Sequence, residues 1–242
     1  MIKIRIREVY RYLGYHGQSP SEEVIQRVDQ CIKDLHKAAD PRFVCRRLEV
    51  CRTLENPAEL HIGTLTLTSK DLARNLTGCN EVFLFAATLG MGPDRLIRRA
   101  EVTSMADAAI YQAASAEMIE AWCSEKNYEL KKQVMAEGLF LRPRYSPGYG
   151  DCPLETQKEI SEILAMPKTI GVCLTETLLM MPTKSVTAFI GISARSQEEM
   201  RKESKACGVT EPVFPSAGCV SCGAHDCLFR KSLHAPESGG KL

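Results

Sequence analysis

The chain has no apolar run approaching the roughly eighteen residues that a membrane-spanning helix requires, so no bilayer span is expected. An excess of charge of either sign is also missing. The 31 Lys and Arg are scattered among 30 Asp and Glu, for a net charge of +1. That pattern contains no basic stripe of the kind that binds nucleic acid. The first seven residues, Met1-Ile2-Lys3-Ile4-Arg5-Ile6-Arg7, alternate charged and aliphatic side chains and lack the apolar core of a secretory signal. They read as a short strand, and the expected location is the cytoplasm. No G-x-G-x-x-G follows a strand-like segment, which argues against a Rossmann nucleotide fold and the ordinary methyltransferases built on it. Internal repeats and long linkers are lacking as well.

What remains has the composition of a compact globular protein. The 242 residues are 44% hydrophobic and 25% charged, enough for one large domain or a domain with an appended module. Eleven cysteines are present, an odd number in a chain without a secretion signal, so a disulfide framework is not expected. Cys31, Cys45, Cys51, Cys79, Cys123 and Cys173 lie among apolar residues, where a thiol packs as a small hydrophobe. The C-terminal set is different. Cys219, Cys222 and Cys227 form C-x2-C-x4-C, with Cys207 upstream, His225 inside the same loop, and Gly218 and Gly223 giving a knuckle its freedom. Thiolates two residues apart can converge on one metal, and spacing does not separate zinc from an iron–sulfur cluster. A reactive dithiol and plain unliganded thiols are the other readings.

Along the chain, Glu8 to Leu13 reads as helical. Ser21 caps an amphipathic helix whose inner face is Val24, Ile25, Val28, Cys31, Ile32 and Leu35, ending near Asp40-Pro41. Phe43–Leu54 and Leu60–Leu67 read as strands, Ser69 as the cap of a short helix, Glu81–Thr88 as a buried strand, and Pro93-Asp94 as the opening of another helix. Gly171–Leu178 and Lys184–Ser193 read as late strands joined across Met181-Pro182, with a polar helix over Ser193–Lys205. Strand and helix do not alternate regularly. The expected fold is therefore α+β, with a mixed, mainly antiparallel sheet, surrounding helices and a C-terminal Cys-rich segment. The expected division is a domain over 1–205, the cysteine segment over 206–231 and a disordered tail over 232–242.

Two features point to a ligand. The first is the run from Arg144 to Pro153, which sets a permanent cation and the Tyr149 ring five positions apart around a bend. Ser146 precedes proline and is pushed extended, Pro147 fixes its own φ, and Gly148 and Gly150 accept conformations closed to other residues. Arg144 offers a planar fork suited to a carboxylate. A plain surface turn is the alternative. The second feature is the helix expected over Met105–Lys126, whose stripe of Ala106, Ile110, Ala113, Ala114, Met118 and Ala121 contains Glu117. A carboxylate in such a stripe requires a partner or a cavity, so it is either a structural ion pair with an arginine or a contact to a cationic ligand. Asp107 borders the same face.

The run Arg144 to Pro153 resembles the S-adenosylmethionine-binding loop, R-x-x-P-G-Y-x-x-C-P, of the activation domain of cobalamin-dependent methionine synthase. Leu174-Thr175-Glu176-Thr177, with Met180, Pro182, Ser185 and Val186, is similar to that family's L-T-E-S-x-x-M-x-P-x-x-S-V segment. The resemblance spans about Phe83 to Ile192. It implies that S-adenosylmethionine donates a methyl group to cobalamin that has decayed to its inactive cob(II) state and has been reduced by one electron. Arg144 would hold the methionyl carboxylate, Tyr149 and the backbone at Gly148 the adenosyl part, with Ser146, Pro147 and Gly150 shaping the loop. Glu117, with Glu120 as the competing match, would meet the amino group. The cobalamin-module motif D-x-H-x-x-G is missing, so the cobalamin would sit on a separate partner. The family's tyrosine beyond the last motif has no counterpart, since no tyrosine follows Tyr149.

The expected role is thus reactivation of a separate cobalamin-dependent methionine synthase or other corrinoid protein, with a flavodoxin or ferredoxin-type electron donor. Cys207, Cys219, Cys222 and Cys227 would hold zinc or an iron–sulfur cluster. Alternatives are an iron–sulfur reductive activator of another corrinoid methyltransferase and a noncatalytic metal-containing interaction protein.

Overall fold

The computed structural model describes residues 1–196 and 199, apart from 16–17, 54–55 and 57. Contacts divide the chain into two compact units, Met1–Gln197 and Glu198–Leu242. The helices of the first unit are α1 (Ile6–Tyr12), α2 (Glu22–Ala38), α3 (Lys70–Asn75), α4 (Met91–Thr103), α5 (Met105–Ala136), α6 (Gln157–Leu164) and α7 (Met166–Thr169). Its strands are β1 (Arg42–Arg52), β2 (Glu59–Ile62), β3 (Leu65–Thr68), β4 (Cys79–Thr88), β5 (Phe140–Leu141), β6 (Cys173–Leu174), β7 (Met180–Met181) and β8 (Ser185–Ser193).

Six strands form one antiparallel sheet in the order β3-β2-β1-β4-β8-β5, and β6 pairs with β7 alone. The expected α+β class is the one observed. Strand side chains alternate between faces, and here both faces are covered. Phe83, Phe85 and Ala87 of β4, with Ala188, Ile190 and Ile192 of β8, pack against α1, α2 and α5. Their neighbours Val82, Leu84, Ala86 and Phe189 pack against α3, α6, α7 and the β2–β3 hairpin. A strand covered on both sides reads as an unbroken apolar run, which is why Glu81–Thr88 stands out in the sequence. Burying a side chain such as Phe85 contributes about 2–3 kcal/mol relative to leaving it exposed.

Several local expectations change. The alternating N-terminal heptapeptide forms no strand: Ile6 already belongs to α1, and only Ile2 of the preceding residues is deeply buried. The six-stranded sheet ends in β3 and β5, and neither edge pairs with the heptapeptide. Leu60–Leu67 is two strands rather than one, because Gly63 takes a φ of 59° and starts a two-residue turn. Of the expected strand Gly171–Leu178 only Cys173–Leu174 pairs, while the chain turns at Leu178, whose φ is 64°. The expected helix Ser193–Lys205 begins with a residue that closes β8, residues 194–196 are not helical, and residues 197–198 and 200–205 lie outside the described residues.

Two elements set up the site. Helix α5 continues ten residues past the expected end, to Ala136, and spans about 48 Å at 1.5 Å per residue. It stops where Gly138 takes a φ of 75°, with Leu139 N bonded to Val134 O and Gly138 N to Met135 O, a Schellman closure. That reversal feeds β5 directly onto the free edge of β8.

Candidate functional site: a cleft between the α5 helix and the edge of β8

After β5 the chain stays alongside β8. Arg142 N donates to Gly191 O at 2.8 Å, and Tyr145 and Phe189 exchange both backbone bonds at 2.9 and 2.7 Å. Between those two anchors Pro143 and Arg144 oppose only Ile190, so the strand carries a one-residue bulge. Proline fits an edge position because no ladder donor is lost there. The extra residue breaks the period-two alternation. Arg142 is 2% exposed and donates to Ser193 Oγ at 2.9 Å, on the face that packs α3 and α6. Arg144, two residues on, instead reaches α5 on the other face, where its Nη2 lies 3.0 Å from Glu120 Oε2.

Arg144, Glu120, Tyr145, Ser146, Tyr149 and Val186 line one open cleft of about 240 Å³. The Arg144 side chain is 22% exposed and that of Glu120 34%, so both charges face the cleft while remaining partly shielded. Cys123, one turn beyond Glu120 and fully buried, lies against Arg144. Its thiol is pushed up to about 12, mainly by burial, with the guanidinium pulling the other way. Tyr149 is 70% exposed at the rim, an aromatic face held out in water.

The loop that carries these groups is tied to itself and to the sheet. Gly148 N donates to Cys152 O at 2.9 Å and Cys152 N to Tyr149 O at 3.0 Å. Gly148 has a φ of 84° and Gly150 of 54°, and a methyl group at Gly150 would collide with Asp71 and with the Tyr145 hydroxyl. That hydroxyl donates to Tyr149 O at 2.9 Å. Burial pushes the Tyr145 phenol up to about 12. Cys152 is 3% exposed, and its thiol is likewise pushed up to about 11 by burial. It acts as a core residue beneath the loop.

A model of the family described as vitamin B12 dependent methionine synthase, activation domain, matches residues 79–200, just over half of the chain. The chain belongs to that family. Among solved structures, the MetH reactivation domain bound to AdoHcy superimposes with a TM-score of 0.57 at 19% identity, covering 84% of this chain and 82% of that one. At that identity the likeness establishes the fold. A search of curated proteins finds no match.

Within the activation-domain fold, both motifs read from the sequence converge on the cleft. Arg144, Ser146 and Tyr149 line it, and Pro147, Gly148 and Gly150 shape the bend between them. The second motif supplies Val186, delivered by a short hairpin. Thr175 Oγ1 accepts from Leu179 N at 3.0 Å to hold the β6–β7 turn. Ser185 Oγ then donates to Pro182 O at 2.7 Å where β8 begins.

Glu117 is placed elsewhere. It is fully buried in α5, as the apolar stripe implied, but its carboxylate receives Arg5 Nε at 2.6 Å and Nη2 at 3.1 Å. This is the ion pair with an arginine, and Glu117 does not line the cleft. Glu120, one turn later, does. Ala106 of the expected stripe is exposed, and Asp107 is engaged at the far end of α5 by Arg27. Sequence reasoning also missed Tyr145 as a lining residue and Cys123 beside Arg144; neither has a local signature. Cys31, Cys79 and Cys123 are buried as expected of packing thiols, Cys45 is half-buried, and Cys51 and Cys173 are exposed. Cys207, Cys219, Cys222, Cys227 and His225 lie outside the described residues. Among the described residues no group of His, Cys, Asp and Glu is arranged to hold a metal, and no helix is long and apolar enough to cross a membrane.

Proposed function

We propose that this protein binds S-adenosylmethionine in the cleft and serves the reductive methylation of cob(II)alamin carried by a separate cobalamin-dependent methionine synthase. The observation that carries this reading is the Arg144–Glu120 pair beside Tyr149. A guanidinium and a carboxylate side by side match the two charges of an amino-acid terminus, and an exposed ring beside them offers a stacking face for the adenosyl group. Arg144 takes the carboxylate, Glu120 rather than Glu117 takes the ammonium, and the backbone at Gly148 lies against the adenosyl part. The chemistry belongs to the partner's cobalamin. Once that cobalamin has gained one electron, the sulfonium methyl passes to it and S-adenosylhomocysteine is left. This chain contributes proximity and orientation.

Family membership supports a cobalamin-bearing partner, and the reading assigns that partner to another chain. A flavodoxin or ferredoxin-type protein supplies the electron. Calorimetry of the full chain with S-adenosylmethionine, with Arg144→Ala alongside, tests the cleft. Cob(II)alamin-loaded methionine synthase, with and without reductant, then tests action in trans.

The C-x2-C-x4-C spacing favours a second reading. In it Cys207, Cys219, Cys222 and Cys227 hold an iron–sulfur cluster and the protein is a reductive activator of another corrinoid methyltransferase. A brown anaerobic preparation with stoichiometric iron supports that reading, and stoichiometric zinc without colour removes it. Intact metal without any S-adenosylmethionine binding would instead leave a noncatalytic interaction protein.

A further inference from the structure

The ligand loop is fastened, outside the cleft lining, to residues that precede the segment matched by the family model. Asp151 accepts from Ser69 Oγ at 2.5 Å, from Lys70 N at 2.8 Å and from Asp71 N at 3.1 Å. Ser69 is itself 1% exposed and caps α3, its Oγ accepting from Leu72 N at 3.0 Å. One buried hydroxyl therefore ends a helix and grips the loop at once. The bonds to Ser69 and to the amides of Asp71 and Lys70 hold the Asp151 carboxyl below the usual carboxylate range. On the loop's inner side, Gly150 is wedged between Asp71 and the Tyr145 hydroxyl, and that hydroxyl holds Tyr149 O. Residues 69–71 thus reach Tyr149 through two short routes, one through Asp151 and one through Gly150 and Tyr145. The family model begins at residue 79, after all of α3.

We infer that Asp151 is a positioning residue for the ligand cleft, holding the Ser146–Cys152 loop in its binding shape through Ser69 and the start of α3. The inference rests on the proposed binding of S-adenosylmethionine in that cleft. A loop fixed before the ligand arrives loses less conformational freedom on binding, so its anchor sets affinity without touching the ligand. Asp151→Ala releases the loop, while Asp151→Asn keeps one oxygen for the Ser69 hydroxyl and sets an amide nitrogen against a backbone donor.

The test is calorimetric titration of the full chain with S-adenosylhomocysteine, comparing wild type, Asp151→Ala, Asp151→Asn, Ser69→Ala and the Asp151→Ala/Ser69→Ala pair. Amide exchange of residues 146–152 is followed in the same proteins. Asp151→Ala is expected to bind about tenfold more weakly, the scale of losing charge-assisted bonds that order a loop, with faster exchange in 146–152 and unchanged exchange in β4 and β8. Asp151→Asn should recover part of the loss. The double variant should be no weaker than Asp151→Ala alone, because both residues serve one anchor. Wild-type affinity in Asp151→Ala, or additive losses in the pair, would overturn the inference. If wild type takes up no S-adenosylhomocysteine, the cleft reading fails on its own. The loop amides then decide the anchor, with unchanged exchange in Asp151→Ala and Asp151→Asn counting against it.

Discussion

Glu117 and Glu120 sit one turn apart on α5, each beside an arginine, and the two surroundings differ in every respect that matters for function. Glu117 has no exposed surface, and its partner Arg5 is half in water, with its side chain 53% exposed. The pair is bidentate, so both carboxylate oxygens are engaged. Glu120 and Arg144 share a single contact of 3.0 Å and both open onto the cleft. The first arrangement satisfies a charge that folding has buried. The second leaves hydrogen-bonding capacity on both groups, which is what a zwitterionic ligand needs. A buried carboxylate in an apolar stripe is therefore a poor guide to a ligand contact. The partly shielded one beside it is the better candidate.

The largest effect should come from breaking the inner pair from its wet side. Arg5→Ala strands a fully buried carboxylate and is expected to cost about 3 kcal/mol in urea unfolding, whereas Glu117→Gln, which leaves unpaired only the half-exposed Arg5 charge, should cost less than half of that. Equal losses would mean that water reaches Glu117. Ligand affinity in Glu117→Gln should stay within about twofold of wild type, as expected for a residue that makes no contact with the ligand.

Next comes the cleft. Arg144→Ala should weaken S-adenosylmethionine binding by about thirtyfold or more, the scale of truncating one partner of a shielded charge pair, with little change in the urea midpoint. Glu120→Gln should have a smaller effect, about tenfold, because the amide still accepts a hydrogen bond from an ammonium. A larger loss in Glu117→Gln than in Glu120→Gln would reverse the assignment of the two carboxylates.

The last effect concerns pH. Cys123, Cys152 and Tyr145 all have pKa values raised in the folded state, to about 12, about 11 and about 12. A raised value means that the native chain keeps protons the unfolded chain has released. Stability is then full below the ordinary thiol value of 9 and declines as pH rises toward 12. Tyr145→Phe should flatten the part of that decline above pH 10, the ordinary phenol value. It should also loosen the loop by removing a bond worth about 1 kcal/mol.

Much of the frame is legible in the chain because its causes are local. The caps at Ser21 and Ser69 form as read, each hydroxyl accepting the amide three residues on. The strands near Phe43, Glu81 and Lys184 are where the apolar runs lie. The bend at Pro147-Gly148 follows from residue conformations alone. What could not be read depends on distant partners. Arg5 meets Glu117 across 112 positions, and Asp151 meets Ser69 across 82. The N-terminal alternation is real, but which segment pairs with a sheet edge is decided by distant parts of the chain, and this one leads into α1 instead. Helices α6 and α7 were not anticipated, and their short apolar faces, Ile160 and Leu164 with Met166, have meaning only against the sheet.

The bulge after β5 makes the spacing between Arg142 and Tyr145 as important as the identity of Arg144. A chain in which Arg142 to Tyr145 paired without the bulge would follow strict alternation, placing Arg144 on the Arg142 face and turning its guanidinium toward Ser193, away from Glu120. Such a chain would keep every letter of R-x-x-P-G-Y and lose the place where a carboxylate could land. Motif matching alone would pass it as competent, whereas counting the residues that face Ile190 would not.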